Sequence, residues 1–202
     1  MKLTFLPSFL AICLFIAPVA QAIELTGLVS DNFGTVVTKP LHFTSNSGGV
    51  GYAFLGRFEL GPGKVETGFF YAPVTINTHE SFGDIKIAGS YWMFPVLYRV
   101  PIYDPFVSIA VGFDYAVVGN NTLTAGGGVL NGISSNYQNH FGAQVSLELT
   151  QDVGENMSIV LDGRYRRGLA NGVAVTNTDQ TVTNSKYNLI IVALGIQKRL
   201  EP

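Results

Sequence analysis

The sequence predicts an all-β fold: an eight-stranded antiparallel up-and-down transmembrane β-barrel that follows a cleaved N-terminal signal peptide. Three observations predict it. Apolar and polar residues alternate over stretches of about ten positions, the length a tilted strand needs to cross a bilayer. The connections between these stretches alternate between long and short. Mean hydropathy is slightly positive, yet nothing after residue 22 is apolar for long enough to form a spanning helix.

The first 22 residues have the layout of an export signal. Met1 and Lys2 give a positive start, Leu3 to Val19 form an apolar run interrupted by Pro7 and Pro18, and Ala20-Gln21-Ala22 has the small-x-small pattern of a signal-peptidase site. The mature chain is therefore expected to begin at Ile23, with residues 1–22 as signal peptide and 23–202 as one barrel domain. The only cysteine, Cys13, lies inside the apolar run after Ile12, where a lipoprotein site would carry a small residue. Its removal leaves no thiol, so stability cannot come from disulfides and no thiolate is available for catalysis or metal binding.

Eight alternating segments follow: Glu24 to Ser30, Gly51 to Leu60, Val65 to Pro73, Ile85 to Val100, Phe106 to Val117, His140 to Thr150, Met157 to Arg166 and Tyr187 to Leu200. Long links rich in Gly, Asn, Ser and Thr follow the first, third, fifth and seventh: Asp31 to Val50, Val74 to Asp84, Val118 to Asn139 and Arg167 to Lys186. Short turns follow the others, at Gly61-Pro62-Gly63, Pro101 to Pro105 and Gln151 to Asn156. Long loops at one end and tight turns at the other are the pattern of membrane barrels, whose long loops face outward from the cell. An even strand count then puts both chain ends on the periplasmic side.

A soluble ligand-binding barrel also alternates, with its apolar face inward, so the content of the second face has to decide. In the fifth segment Val107, Ile109, Val111, Phe113, Tyr115 and Val117 oppose Ser108, Ala110, Gly112 and Asp114. In the sixth, Phe141, Val145, Leu147 and Leu149 oppose Gly142, Gln144, Ser146 and Glu148. One face is bulky and apolar; the other combines small residues with charges of both signs. Small residues and ion pairs pack the inside of a narrow barrel, whereas a soluble barrel of this pattern would show wide apolar stripes to water. The expected lumen network is Arg57, Glu59, Glu66, Arg99, Asp114, Glu148, Asp162 and Arg164. Aromatic residues at the lipid interface are expected at Tyr52, Tyr71, Tyr115, Phe141 and Tyr165 near the long-loop end, and at Phe58 and Tyr98 near the short-turn end.

With these faces assigned, the chain resembles the small outer-membrane β-barrel superfamily that includes the barrels of outer-membrane proteins A, X and W. The resemblance is carried by Tyr91-Trp92-Met93-Phe94-Pro95-Val96-Leu97-Tyr98, by the turn at Pro101 to Pro105, and by Phe106 to Tyr115 with its Gly112. It implies residence in the bacterial outer membrane, with insertion by the outer-membrane assembly machinery. Gly195, Ile196 and Leu200 partly match the C-terminal insertion signal of such proteins, while Lys198 interrupts its apolar face and Glu201-Pro202 replaces the aromatic end.

Some small outer-membrane barrels modify lipid A or phospholipid with Ser and His near the outer rim. His42, His79 and His140 all fall at that end, but nothing in their spacing places a base beside a nucleophile or makes a ligand set. No catalytic residue, cofactor or metal site is expected. The charge is near neutral and forms no basic cluster, so nucleic acid is not an expected partner. The expected partners are outer-membrane lipid and lipopolysaccharide, the insertion machinery, and an external ligand or host surface met by the loops, with the barrel a monomer. The functional expectation is a structural or surface-interaction role for four external loops. A narrow channel for small apolar molecules, suggested by inward Met93, Pro95 and Leu97, is the first alternative and a lipid-modifying enzyme the second.

Overall fold

The computed structural model describes residues 23–37, 42–43, 49–80, 83–103, 105–125, 134–169, 173–176 and 181–200. The signal segment and Glu201-Pro202 lie outside them. Eight long strands dominate: β1 (Ile23–Val37), β2 (Val50–Leu60), β3 (Gly63–Glu80), β4 (Gly83–Tyr103), β5 (Val107–Ala125), β6 (His140–Gly154), β7 (Met157–Gly168) and β8 (Thr181–Leu200). Each pairs antiparallel with its sequence neighbours, and β1 also pairs with β8 from Ile23↔Leu200 to Val37↔Lys186. This last ladder closes the sheet, so the barrel wall has no edge for another chain to pair with. A short strand at His42–Phe43 folds back on the end of β1, and Ser134–Tyr137 pairs with Val173–Thr176, which pairs in turn with β8.

The register fixes the shape. From Ile23, partners run Phe58, Val65, Tyr98, Val111, Val145, Tyr165 and Ile190, and the circuit returns to β1 at Phe33, ten residues beyond its start. Eight strands with that offset must tilt by about 40° to the barrel axis and leave a bore only wide enough for side chains.

Because successive side chains in a strand point to opposite faces, the alternation read from the sequence becomes an inside and an outside. Along β6, His140, Gly142, Gln144, Ser146 and Glu148 are buried while Phe141, Val145, Leu147 and Leu149 are exposed. β7 repeats the pattern, with Val160, Asp162, Arg164 and Arg166 inside and Ile159, Leu161 and Tyr165 outside. Bulky apolar groups left exposed all round a closed wall need hydrocarbon as their solvent. Phe113, 62% exposed, is central to that band. Phe113→Arg is expected to cost about 2–4 kcal/mol, as a cation near the bilayer midplane does. Urea unfolding in lipid vesicles, followed by tryptophan fluorescence, measures it.

The strands run further than the alternation alone indicates. The connection expected at Val74 to Asp84 is not a long loop: β3 continues to Glu80 and β4 starts at Gly83, with the hairpin paired as far as Glu80↔Gly83. β1 likewise reaches Val37, β5 reaches Ala125 and β8 begins at Thr181. Beyond the lipid an apolar face is no longer demanded, so the alternation fades. Hydrogen bonding persists, helped by β-branched Val74, Thr75 and Ile76 on β3, which pair with Gly89, Ala88 and Ile87 on β4. At the opposite end β6 extends to Gly154, and the chain turns through Glu155 and Asn156, the latter at φ 62°.

Candidate functional site

The interior of the barrel holds the densest chemistry. Arg57 on β2, Arg99 on β4 and Arg164 on β7 face Glu66 on β3, Glu148 on β6 and Asp162 on β7, all almost completely buried. Nε of Arg57 donates to Glu66 Oε2 at 2.8 Å, and its two terminal nitrogens form a fork on Glu148, with Nη1 to Oε1 at 2.8 Å. The same Nη1 donates to Gln197 Oε1 on β8 at 2.8 Å. Arg99 donates to Glu66 at 3.1 Å, to the hydroxyls of Ser108 and Ser146 at 3.0 Å each, and to Asp162 at 3.4 Å. Arg164 completes the set with Glu66 at 2.8 Å and Asp162 at 2.6 Å, and its guanidinium sits 4.5 Å from the Phe70 ring centroid.

Three cations thus meet three carboxylates, each at most 3% exposed. An isolated buried ion costs several kcal/mol, so the arrangement persists only because each charge is matched and hydrogen-bonded. Arginine suits this role, since its planar fork serves two or three acceptors at once. The ions span the lumen instead of lying along one hairpin. Near the short-turn end Glu24 on β1 takes Lys64 from β3 and Arg199 from β8, so every strand of the wall contributes to the ties.

Below this plug lies a vestibule of about 420 Å³, lined by Glu24, Lys64, Arg99 and Arg199 among others. Glu59 also lines it. Its expected place in the network is corrected: it keeps the inward register but is exposed at the rim of the vestibule, away from the buried ions. The other expected lumen residues are brought together, except that Asp114 belongs to a separate group further up. There Arg166 Nε donates to Asp114 at 2.8 Å, Gln144 donates to Asp114 at 3.0 Å, and Arg166 Nη1 meets His140 Nε2 at 2.9 Å. Beside the ionic groups the inner wall is apolar, with Leu28, Leu55, Phe70, Met93 and Ile191 in one buried cluster.

Arg166, Glu24, Gln197 and Gln144 are network members that the sequence list lacked. Their signal was present in part: Arg166 shares strand parity with Asp162 and Arg164, and Gln144 with Glu148, whereas β1 and β8 carried no named lumen residue to which Glu24 or Gln197 could be matched. The aromatics show the same effect. Tyr52 and Tyr71 stack with centroids 5.0 Å apart, and Trp92, which the list also lacked, joins them at 5.9 Å and 5.0 Å. Phe69 adds a fourth ring beside Trp92 at 5.9 Å. Tyr115 and Phe141 pair at 4.9 Å, Tyr165 is exposed, and Phe58 is half-buried. Tyr98 donates to the Leu60 carbonyl at 3.2 Å beside the first short turn. These rings lie on the outward face of the wall. Of the histidines, His42 and His79 occupy strand positions but their side chains lie outside the described residues; both ring nitrogens of His140 are engaged. No group of three metal-ligating side chains occurs among the described residues.

A closed antiparallel wall, greasy outside and ionic inside, defines a membrane-spanning β-barrel. The chain has the fold of the small eight-stranded outer-membrane β-barrels. It superposes on the outer membrane protein OprG from Pseudomonas aeruginosa with a TM-score of 0.55 at 11% identity, over 91% of this chain and 97% of that one. The solid-state NMR structure of outer membrane protein AlkL in DMPC bilayers aligns with a TM-score of 0.54 at 12% identity, over 91% and 92%. Ail, the attachment invasion locus protein of Yersinia pestis, solved with the heparin analogue sucrose octasulfate, aligns at 0.47 and 12% identity, over 87% and 98%. No family model matches the chain, and no curated protein matches it in sequence.

Proposed function

We propose that this barrel is a monomeric, non-enzymatic structural or surface-interaction protein of the bacterial outer membrane, its working surface being the connections at the outer end. One observation carries the reading: the lumen is filled by a neutral network of buried ions that leaves its own side chains in the way of any solute. A wall that does not conduct leaves the protein to act through what it displays. Export would remove residues 1–22 after Ala22, on the small-x-small pattern of Ala20-Gln21-Ala22. Lipid and lipopolysaccharide would bathe the apolar band, and the insertion machinery would act during biogenesis.

In planar bilayers the purified protein is expected to be electrically silent. Cells carrying it should be retained on host-cell or matrix surfaces more than cells carrying a barrel with residues 126–133 and 177–180 replaced by Gly-Ser links. Equal retention, or steady conductance, would overturn the reading. A second reading, a route for small apolar molecules, draws on the apolar inner wall at Phe70, Met93 and Ile191. Uptake of a hydrocarbon into protein-loaded vesicles, without ionic conductance, would favour it. The lipid-modifying alternative receives no support from His140, whose ring has no nitrogen free to serve as a base.

A further inference from the structure

His140 is the first residue of β6 and is buried at the outer mouth of the lumen. Each of its ring nitrogens has a defined task. Nδ1 lies 2.9 Å from the carbonyl oxygen of Gln138, which can only accept, so Nδ1 carries the proton. Nε2 lies 2.9 Å from Nη1 of Arg166, which can only donate, so Nε2 accepts. A ring that donates at one nitrogen and accepts at the other is the neutral imidazole. Among the described residues, the charged and titratable groups around it are Arg166 from β7, Asp114 from β5 behind that arginine, and Tyr91 from β4, whose ring meets the imidazole edge-on at 5.2 Å. Leu189 on β8 and Ala72 on β3, registered beside Arg166 and Tyr91, add no charge.

We propose that His140 is a proton-operated latch at the outer mouth. In its neutral form it accepts from Arg166 and ties the start of β6 to the end of β7. When it binds a proton, Nε2 presents N–H to N–H, the acceptor is gone, and Arg166 is let go on that side. The arginine is not stranded, because Asp114 still holds its Nε at 2.8 Å and 3.0 Å. Release is therefore local and the wall stays closed. It loosens the bases of the two outer connections that lead into β6 and out of β7, next to the backbone bond from Leu169 N–H to the Phe141 carbonyl. Acid would thereby alter how those connections are presented, a regulatory role that rests on the proposal that they form the working surface.

The test uses the refolded barrel in detergent micelles, labelled uniformly with ¹⁵N. At neutral pH, His140 is expected as the Nδ1–H tautomer. On acidification its second nitrogen should protonate, and the protection of the Leu169 amide, measured against its slower intrinsic exchange in acid, should fall about tenfold, the loss of one charge-assisted hydrogen bond. In His140→Gln, whose side-chain carbonyl can accept from Arg166 but binds no proton in this range, that step should vanish. A charged ring or the Nε2–H tautomer at neutral pH would refute the latch, as would the same acid step in His140→Gln. The tautomer is read on the unaltered protein, so the test survives a variant that fails to fold. Neither readout involves a surface ligand, so failure of the latch and failure of the surface-interaction reading are separable.

Discussion

Arg57→Met is expected to destabilise the barrel by about 3–5 kcal/mol, the cost of leaving buried charges without their partner. Arg57 is tied to Glu66 on β3, Glu148 on β6 and Gln197 on β8, so its loss uncouples three separate parts of the wall. It also leaves three buried carboxylates facing two arginines. The variant should unfold at clearly lower urea concentration in vesicles and lose part of its resistance to detergent at raised temperature. Adding Glu148→Gln, which removes the stranded charge while keeping its shape, should recover more than half of the loss. A stability equal to that of the parent would show that the network is ornamental.

Gly195→Val is expected to prevent closure. Gly195 lies on β8 opposite Leu28, and a Cβ built there would run into the Gly27 carbonyl oxygen and the Leu28 side chain. A backbone carbonyl cannot swing aside as a flexible side chain can, and this one belongs to the ladder that joins the last strand to the first. The variant should migrate on unboiled gels as the unfolded chain, whereas Gly154→Val, where an added Cβ meets nothing within 4 Å, should keep the folded migration. Folded migration by the Gly195 variant would show that the seam can give way.

The faces of the strands were legible because lipid enforces a period of two on every residue it touches. Val111, Phe113, Leu147 and Ile190 could be placed outside, and Asp114, Glu148 and Asp162 inside, from parity alone. Strand ends were not legible: past Pro73 and Val118 the lipid no longer selects, and only backbone pairing carries the sheet on. Partner choice was hidden for a different reason. Arg57 and Gln197 are 140 positions apart, and nothing local says that the curvature of the wall brings them together. Glu59 shows the limit of parity, which gives the direction of a side chain but not its depth. Trp92 shows a second limit, since its tie to Tyr52 crosses three strands and depends on how they tilt.

The offset of ten residues at closure has a further consequence. A slip of one residue would turn greasy groups inward and is forbidden outright by the membrane. A slip of two keeps every side chain on its proper side, and lipid would not object; only the girth of the tube would change. Salt bridges that reach from wall to wall are sensitive to that girth, because a narrower or wider cylinder puts Arg57 and Glu148 out of reach of each other. The ionic filling therefore acts as a gauge, rejecting misassembled cylinders that the bilayer by itself would accept.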